Sequence, residues 1–99
     1  MEKFNDIISG NKLVLVDFFA QWCGPCKTMA PVLENLKQQI GDSIRRIIKI
    51  DVDKNSALAT HYNIRSVPTL ILFKDGKTLW RASGARPLHD LKEIVSEYI

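Results

Sequence analysis

The stretch VDFFAQWCGPCK, residues 16–27, carries an apolar run into two cysteines separated only by Gly24 and Pro25. No other cysteine occurs among the 99 residues. Upstream, KLVLVDFF (12–19) is apolar on both faces apart from Asp17, the pattern of a central strand covered on both sides. Downstream, Cys26, Met29, Ala30, Leu33, Leu36 and Ile40 recur at helical spacing until Gly41 stops the run, so a helix is predicted over 25–40. Pro25 suits a first helical turn, and Pro31 is expected to kink the helix. The thiol pair therefore stands where a strand ends and a helix begins.

The rest of the chain alternates in the same way. Residues 2–9 place Phe4, Ile7 and Ile8 at helical spacing before Gly10. RRIIKIDV (45–52) reads as a second strand with one oddity, Lys49. A short helix is predicted from Ser56 to Tyr62. TLILFK (69–74) and KTLWRAS (77–83) flank Asp75-Gly76, a two-residue hairpin signal. Pro87 opens a last helix with Leu88, Leu91, Ile94, Val95 and Tyr98 inward, and Arg86 is a poor cap for it. The β-α-β portion forces a parallel pair with a right-handed crossover, and the hairpin adds an antiparallel edge. The expectation is an α/β layered sheet with helices on both faces, in one domain over residues 1–99.

Composition narrows the function. Net charge is +3, from 14 basic and 11 acidic residues, and only Arg45 and Arg46 stand together among the basic ones. That is a solvated surface rather than a nucleic-acid footprint. No apolar run approaches the ~18 residues of a membrane span, and the start, MEKFNDIISG, lacks the apolar core of a leader. A cytoplasmic protein is expected; a periplasmic form with its leader removed stays open.

Three chemistries suit a close thiol pair. A structural disulfide closing so short a loop gains only ~2 kcal/mol, against ~4.7 kcal/mol for a 100-residue loop. Tetrahedral zinc wants four ligands, and the chain offers two cysteines with His61 and His89, neither at paired spacing. Redox exchange fits the spacing mechanically. Cys23 at a helix start meets unpaired N–H groups and the positive end of the helix dipole, which favour a thiolate; a partly exposed position is expected for it. Cys26, one turn on and deeper, is close enough to form a disulfide with it. Cys23 can then attack a substrate disulfide, and Cys26 can resolve the mixed disulfide.

With VDFFAQWCGPCK, KIDVDKN, IRSVPT, LFKDGK and Gly84-Ala85 in view, the chain resembles the thioredoxin family over about residues 10–99. The resemblance implies a three-layer α/β/α fold and a dithiol–disulfide oxidoreductase that reduces protein disulfides. It implies no bound cofactor: electrons come indirectly from NADPH through a flavoprotein, the thioredoxin reductase. It implies that Val67-Pro68 is a cis peptide facing the cysteines. Partners would be that reductase and disulfide-containing protein substrates, with no nucleic acid, no membrane, and a monomeric chain.

There are departures from the family. Phe19 stands where the family most often has tryptophan, and Ser66 where glycine is common. Only one helix precedes KLVLVDFF, with no room for the family's usual first edge strand. Four strands are therefore expected, in the spatial order 45–52, 12–19, 69–74, 77–83. Strand 45–52 becomes an edge, which Arg45, Arg46 and Lys49 suit.

Further site residues follow. Asp17, the one charge in a buried strand, reads as a carboxylate of raised pKa that takes the proton from Cys26, a role the resemblance supports. Lys49, in the neighbouring strand, is placed to pair with Asp17 or to be solvated. Trp22 reads as a half-exposed platform. With Gly24, Pro25, Val67, Pro68, Gly84 and Ala85 it would form an apolar rim for a protein substrate, and Val67 could pair its backbone with an extended segment. Oxidants of this type usually carry a histidine between the cysteines to stabilise the thiolate; Gly24-Pro25 has none, so a reductant is expected. Two rivals stay open: a periplasmic or membrane-tethered reductant for one substrate, and a binding module in which the redox chemistry is incidental.

Overall fold

A computed structural model describes residues 3–99. The elements are α1 (Phe4–Ile8), β1 (Leu13–Phe19), α2 (Gly24–Ile40), β2 (Ile44–Asp51), α3 (Ser56–His61), β3 (Thr69–Lys74), β4 (Lys77–Ser83) and α4 (Leu88–Tyr98). The four strands lie in the order β2-β1-β3-β4, the order expected. β1 and β2 run parallel, while β1/β3 and β3/β4 run antiparallel.

Strand alternation sends successive β1 residues to opposite faces, and the two faces build separate cores. Leu13 and Leu15 pack with Met29, Leu33 and Leu36 of α2 and with Leu91 and Val95 of α4. Val14, Val16 and Phe18 pack on the other face with Ile8, Ile71 and Phe73, and α1 and α3 close over them through Phe4, Leu58 and Tyr62. On that face Phe4, Phe18, Tyr62 and Phe73 have ring centroids 5.5 to 6.5 Å apart. The result is a helix–sheet–helix sandwich. Each such side chain contributes about 1.5–3 kcal/mol by leaving water.

The hairpin turn forms as its sequence requires, with positive φ at Asp75 (54°) and Gly76 (76°), a pair of conformations that Asp-Gly tolerates. Three details differ from expectation. The first residue of the predicted 2–9 helix lies outside the described residues, and α1 begins at Phe4. Pro87 precedes α4 as its N-cap, and no side chain caps that end. A single 3-10 turn, Gly41–Ser43, joins α2 to β2. Gly41 leaves the helix at φ 54°, and the Lys37 ammonium donates to the Gly41 and Ile44 carbonyls across the turn. α2 itself runs unbroken through Pro31, which is exposed.

Candidate active site

The chain leaves β1 at Phe19, turns through the buried Ala20, and enters α2 with Cys23 as the N-cap in an extended conformation. Cys23 N–H donates to the Ala20 carbonyl at 3.2 Å. The Cys26 N–H points back at the Cys23 sulfur, 3.2 Å away. A side chain accepting a first-turn N–H is ordinary capping, and here a sulfur takes the place of the usual oxygen. Cys23 and Cys26 form a disulfide with Cα atoms 5.3 Å apart. The expected contrast in exposure is small: Cys23 is 4% exposed and Cys26 2%. The two cysteines form one buried cluster with Ala20, against which Phe19, Val52 and Val67 pack, so position on the helix, not exposure, separates them.

The opposite wall is the loop before β3. The Val67-Pro68 peptide is cis, and the Val67 carbonyl lies 3.6 Å from the Cys23 sulfur. Thr69 Oγ1 donates to the Ser66 carbonyl at 2.7 Å and sits 3.0 Å from Ser83 Oγ. Gly84 N–H donates to the Pro68 carbonyl at 2.8 Å, which brings Gly84-Ala85 beside the proline. Gly84 has φ 95°, a conformation that strains any other residue. Trp22 is 73% exposed, and its indole N–H donates to Asp53 at 3.0 Å. Gly24, Pro25 and Ala85 are exposed, Val67 is half-buried and Pro68 is buried.

Asp17 is fully buried, and neither carboxylate oxygen has a hydrogen-bond partner. It shares its face of β1 with Leu13 and Leu15, so it looks toward α2, the helix that carries Cys26. Burial raises its pKa from 3.8 to about 6, and the charge of Lys49 partly offsets the rise. Lys49 stands opposite Asp17 in the β1–β2 register, but no hydrogen bond joins them; its ammonium lies 5.0 Å from the centroid of the Phe19 ring. Lys49 also lines a pocket beside the disulfide, with Phe19, Ala20, Gln21, Cys26 and Lys27.

Sequence reasoning missed Asp51. It ends β2 nearly buried, accepts the N–H groups of Asp53 and Lys54 at 2.9 and 3.3 Å, and takes a third bond from the Gln21 amide at 3.3 Å. Asp followed by a polar run, DVDKN, is the signal that was available for such a turn. Among the described residues no group of three or more His, Cys, Asp or Glu could hold a metal, and no helix is long and apolar enough to cross a membrane.

A family model described as Thioredoxin matches residues 1–97. The thioredoxin of Bacillus subtilis is 47% identical over 87 residues, covering 88% of this chain and 83% of that protein. That of Chlamydia trachomatis is 44% identical over 97 residues, covering 98% and 92%. Among solved structures, Plasmodium falciparum thioredoxin superposes with a TM-score of 0.85 at 41% identity, over 97% of this chain and 91% of that one. A mutant thioredoxin from Halobacterium salinarum gives a TM-score of 0.86 at 42% identity, over 95% and 80%.

Proposed function

The chain belongs to the thioredoxin family and is a thiol–disulfide oxidoreductase that reduces protein disulfides; on that premise we propose the part each residue takes in its reaction. In the reduced protein the Cys23 thiolate is stabilised by the Cys26 N–H and the positive end of α2. It attacks one sulfur of a substrate disulfide. The substrate S–S bond breaks, one substrate cysteine leaves as a thiolate, and a Cys23–substrate mixed disulfide remains. Cys26 then gives its proton to the Asp17 carboxylate and attacks the Cys23 sulfur. The Cys23–Cys26 disulfide forms and the second substrate thiolate leaves. Two electrons have passed to the substrate.

The rim holds the substrate while this happens. Gly24, Pro25, Gly84 and Ala85 offer an exposed surface with little side-chain bulk, flanked by the exposed Trp22 ring and backed by the buried Pro68. The Val67 backbone, 3.6 Å from the attacking sulfur, aligns an extended segment by strand-type hydrogen bonds. Lys49 keeps Asp17 ionised over a wider pH range than burial alone would allow. Electrons return from NADPH through a thioredoxin reductase. The chain works as a monomer, one domain over residues 1–99, in the cytoplasm.

The observation that carries this reading is the capping geometry, which makes Cys23 the sulfur that a helix start stabilises and Cys26 the one behind it. Insulin reduction with two variants tests it. Cys23→Ser abolishes exchange. Cys26→Ser attacks and stalls as a stable mixed disulfide, visible by mass. A mixed disulfide that accumulates on Cys26 in the Cys23→Ser variant reverses the assignment.

A further inference from the structure

We propose that Arg86 selects among disulfide substrates. With Asp53 it gives the substrate rim opposite charges at its two ends, which favour an extended segment carrying an acidic residue on the Arg86 side of its cysteine. Such a preference rests on the reductase reading and narrows its substrate class.

The topology separates the two charges. Asp51 pairs with Phe19, Phe18 with Thr69, and Thr69 with Ser83, so β2, β1 and β4 end where β3 begins. Cys23 follows β1 and Val67-Pro68 precedes β3, between the outer strands. Asp53 follows β2 and Arg86 follows β4, the two outer strands. At ~4.8 Å between neighbours, those strands stand ~14 Å apart. A substrate cysteine aligned on the Val67 backbone falls between the two charges. The residues two places before and after it share its face of the strand and lie ~7 Å away, on either side.

Local contacts hold Arg86 in place for this. Its N–H donates to the Met29 sulfur at 3.4 Å, one turn of α2 beyond Cys26. Its guanidinium carbon lies 5.8 Å from the centroid of the Trp80 ring. The side chain is half-buried, and its Nε is buried without a hydrogen-bond partner. The carboxylate nearest in sequence, Asp90, faces the His89 ring at 3.0 Å, and no carboxylate among the described residues pairs with Arg86. A guanidinium set against an aromatic ring with no protein acceptor is prepared for a carboxylate, which its planar fork can take bidentately. Packing on Trp80 alone would be met by an apolar side chain, with no buried donor to leave unpaired. At the other end Asp53 accepts the Trp22 indole N–H at 3.0 Å, a neutral donor that leaves its charge in place. Lys27 and Arg65 are also exposed near the cysteines and Val67, and they stay when Arg86 is replaced.

The test uses the reduced protein and blocked peptides of about seven residues, each with one cysteine disulfide-linked to a nitrothiobenzoate. Cys23 attacks the peptide sulfur, the coloured nitrothiobenzoate leaves with the electron pair of the broken bond, and Cys26 then displaces the peptide thiolate. Glutamate or glutamine is placed two residues before or two residues after the cysteine. The expected result is release about threefold faster with glutamate than with glutamine at one of the two positions, no gain at the other, and a difference that fades with salt. Arg86→Met is expected to lose the difference between glutamate and glutamine, and Arg86→Glu to invert it. The preference of the parent, its sidedness and its loss in salt are read without any variant, so a misfolded variant leaves the test standing. Equal rates for glutamate and glutamine, an equal gain at both positions, or a preference that survives in Arg86→Met would each overturn the proposal. No release from any peptide would sink the reductase reading and this preference with it; release without a difference sinks the preference alone.

Discussion

Two aspartates lie on neighbouring strands, both removed from water, in opposite circumstances. Asp51 ends β2 with three donors on its carboxylate, two of them backbone N–H groups of the turn that leads to α3. Asp17 lies inside β1 with none. A buried acceptor left without a partner costs about 1–3 kcal/mol, more when charged. Burial sends the pKa of Asp17 up to about 6 because nothing but the charge of Lys49 opposes the loss of solvent. The contrast separates two uses of one side chain. Asp51 satisfies a turn and is part of the architecture. Asp17 is costly to the architecture, and burial raises its pKa to about 6, where the proton transfer proposed for it would need it.

The largest effect that could break this contrast is kinetic. Asp17→Asn removes the proton acceptor and should slow insulin reduction at pH 8 by about 10²-fold, the low end for a lost general base. An equally fast variant would make Asp17 structural like Asp51. The same variant carries an effect on stability, with a sign fixed by linkage. The folded pKa lies above the unfolded one, so the native state holds the proton more tightly. Stability is then greatest below about pH 3.8, falls as pH rises through about 6, and levels off above. A rise of about two units corresponds to about 3 kcal/mol at the plateau. Asp17→Asn should therefore be more stable than the parent at pH 8 by up to that amount in urea melts, with the gain shrinking toward pH 4.

Asp51→Ala should do the reverse. It strands the Asp53 and Lys54 N–H groups and should cost about 1–3 kcal/mol at pH 7. Its effect on the rate of reduction should be small in comparison, since no proton of the reaction passes through it. A melt unchanged by Asp51→Ala would show that water satisfies the turn equally well. The smallest effect sharpens the picture of Lys49. Lys49→Gln removes the one charge that lowers the Asp17 pKa, so that pKa should move above about 6 and the fall in stability should shift to higher pH with it. A titration unmoved by the substitution would mean that solvent screens Lys49 from Asp17.

The sequence made much of this legible because local patterns and the fold agree. Strand β1, with apolar residues on both faces, could only be central. Asp75-Gly76 fixed a hairpin whose strands match their expected ends. The four-strand order followed from one crossover and one hairpin. What stayed hidden depended on contacts distant in sequence. Nothing in AQWCGPCK shows that Val52 and Val67, from distant loops, pack against the cluster of Ala20, Cys23 and Cys26, or that Cys23 is nearly as buried as Cys26. The hold of Thr69 on Ser66 and Ser83 appears only once β3 and β4 pair. Trp22 was expected to be half-exposed and is 73% exposed, and its indole bond to Asp53, 31 residues away, had no sign in the sequence. Lys49 showed the opposite limit. Its place on the strand beside Asp17 was readable, whereas its register with Asp17 and its resting place over Phe19 came only with the structure.

The central claim is that the fold holds Asp17 buried, unpartnered and ready to take a proton near neutrality. Carboxyl-carbon NMR of the oxidised protein, followed from pH 3 to 9, tests it most directly. The account predicts that the Asp17 carbon titrates with an apparent pKa of about 6, raised by burial. A midpoint at or below 3.8, the value of an unperturbed aspartate, would mean that the carboxylate is solvated or paired after all, and the resolution step would lose its base.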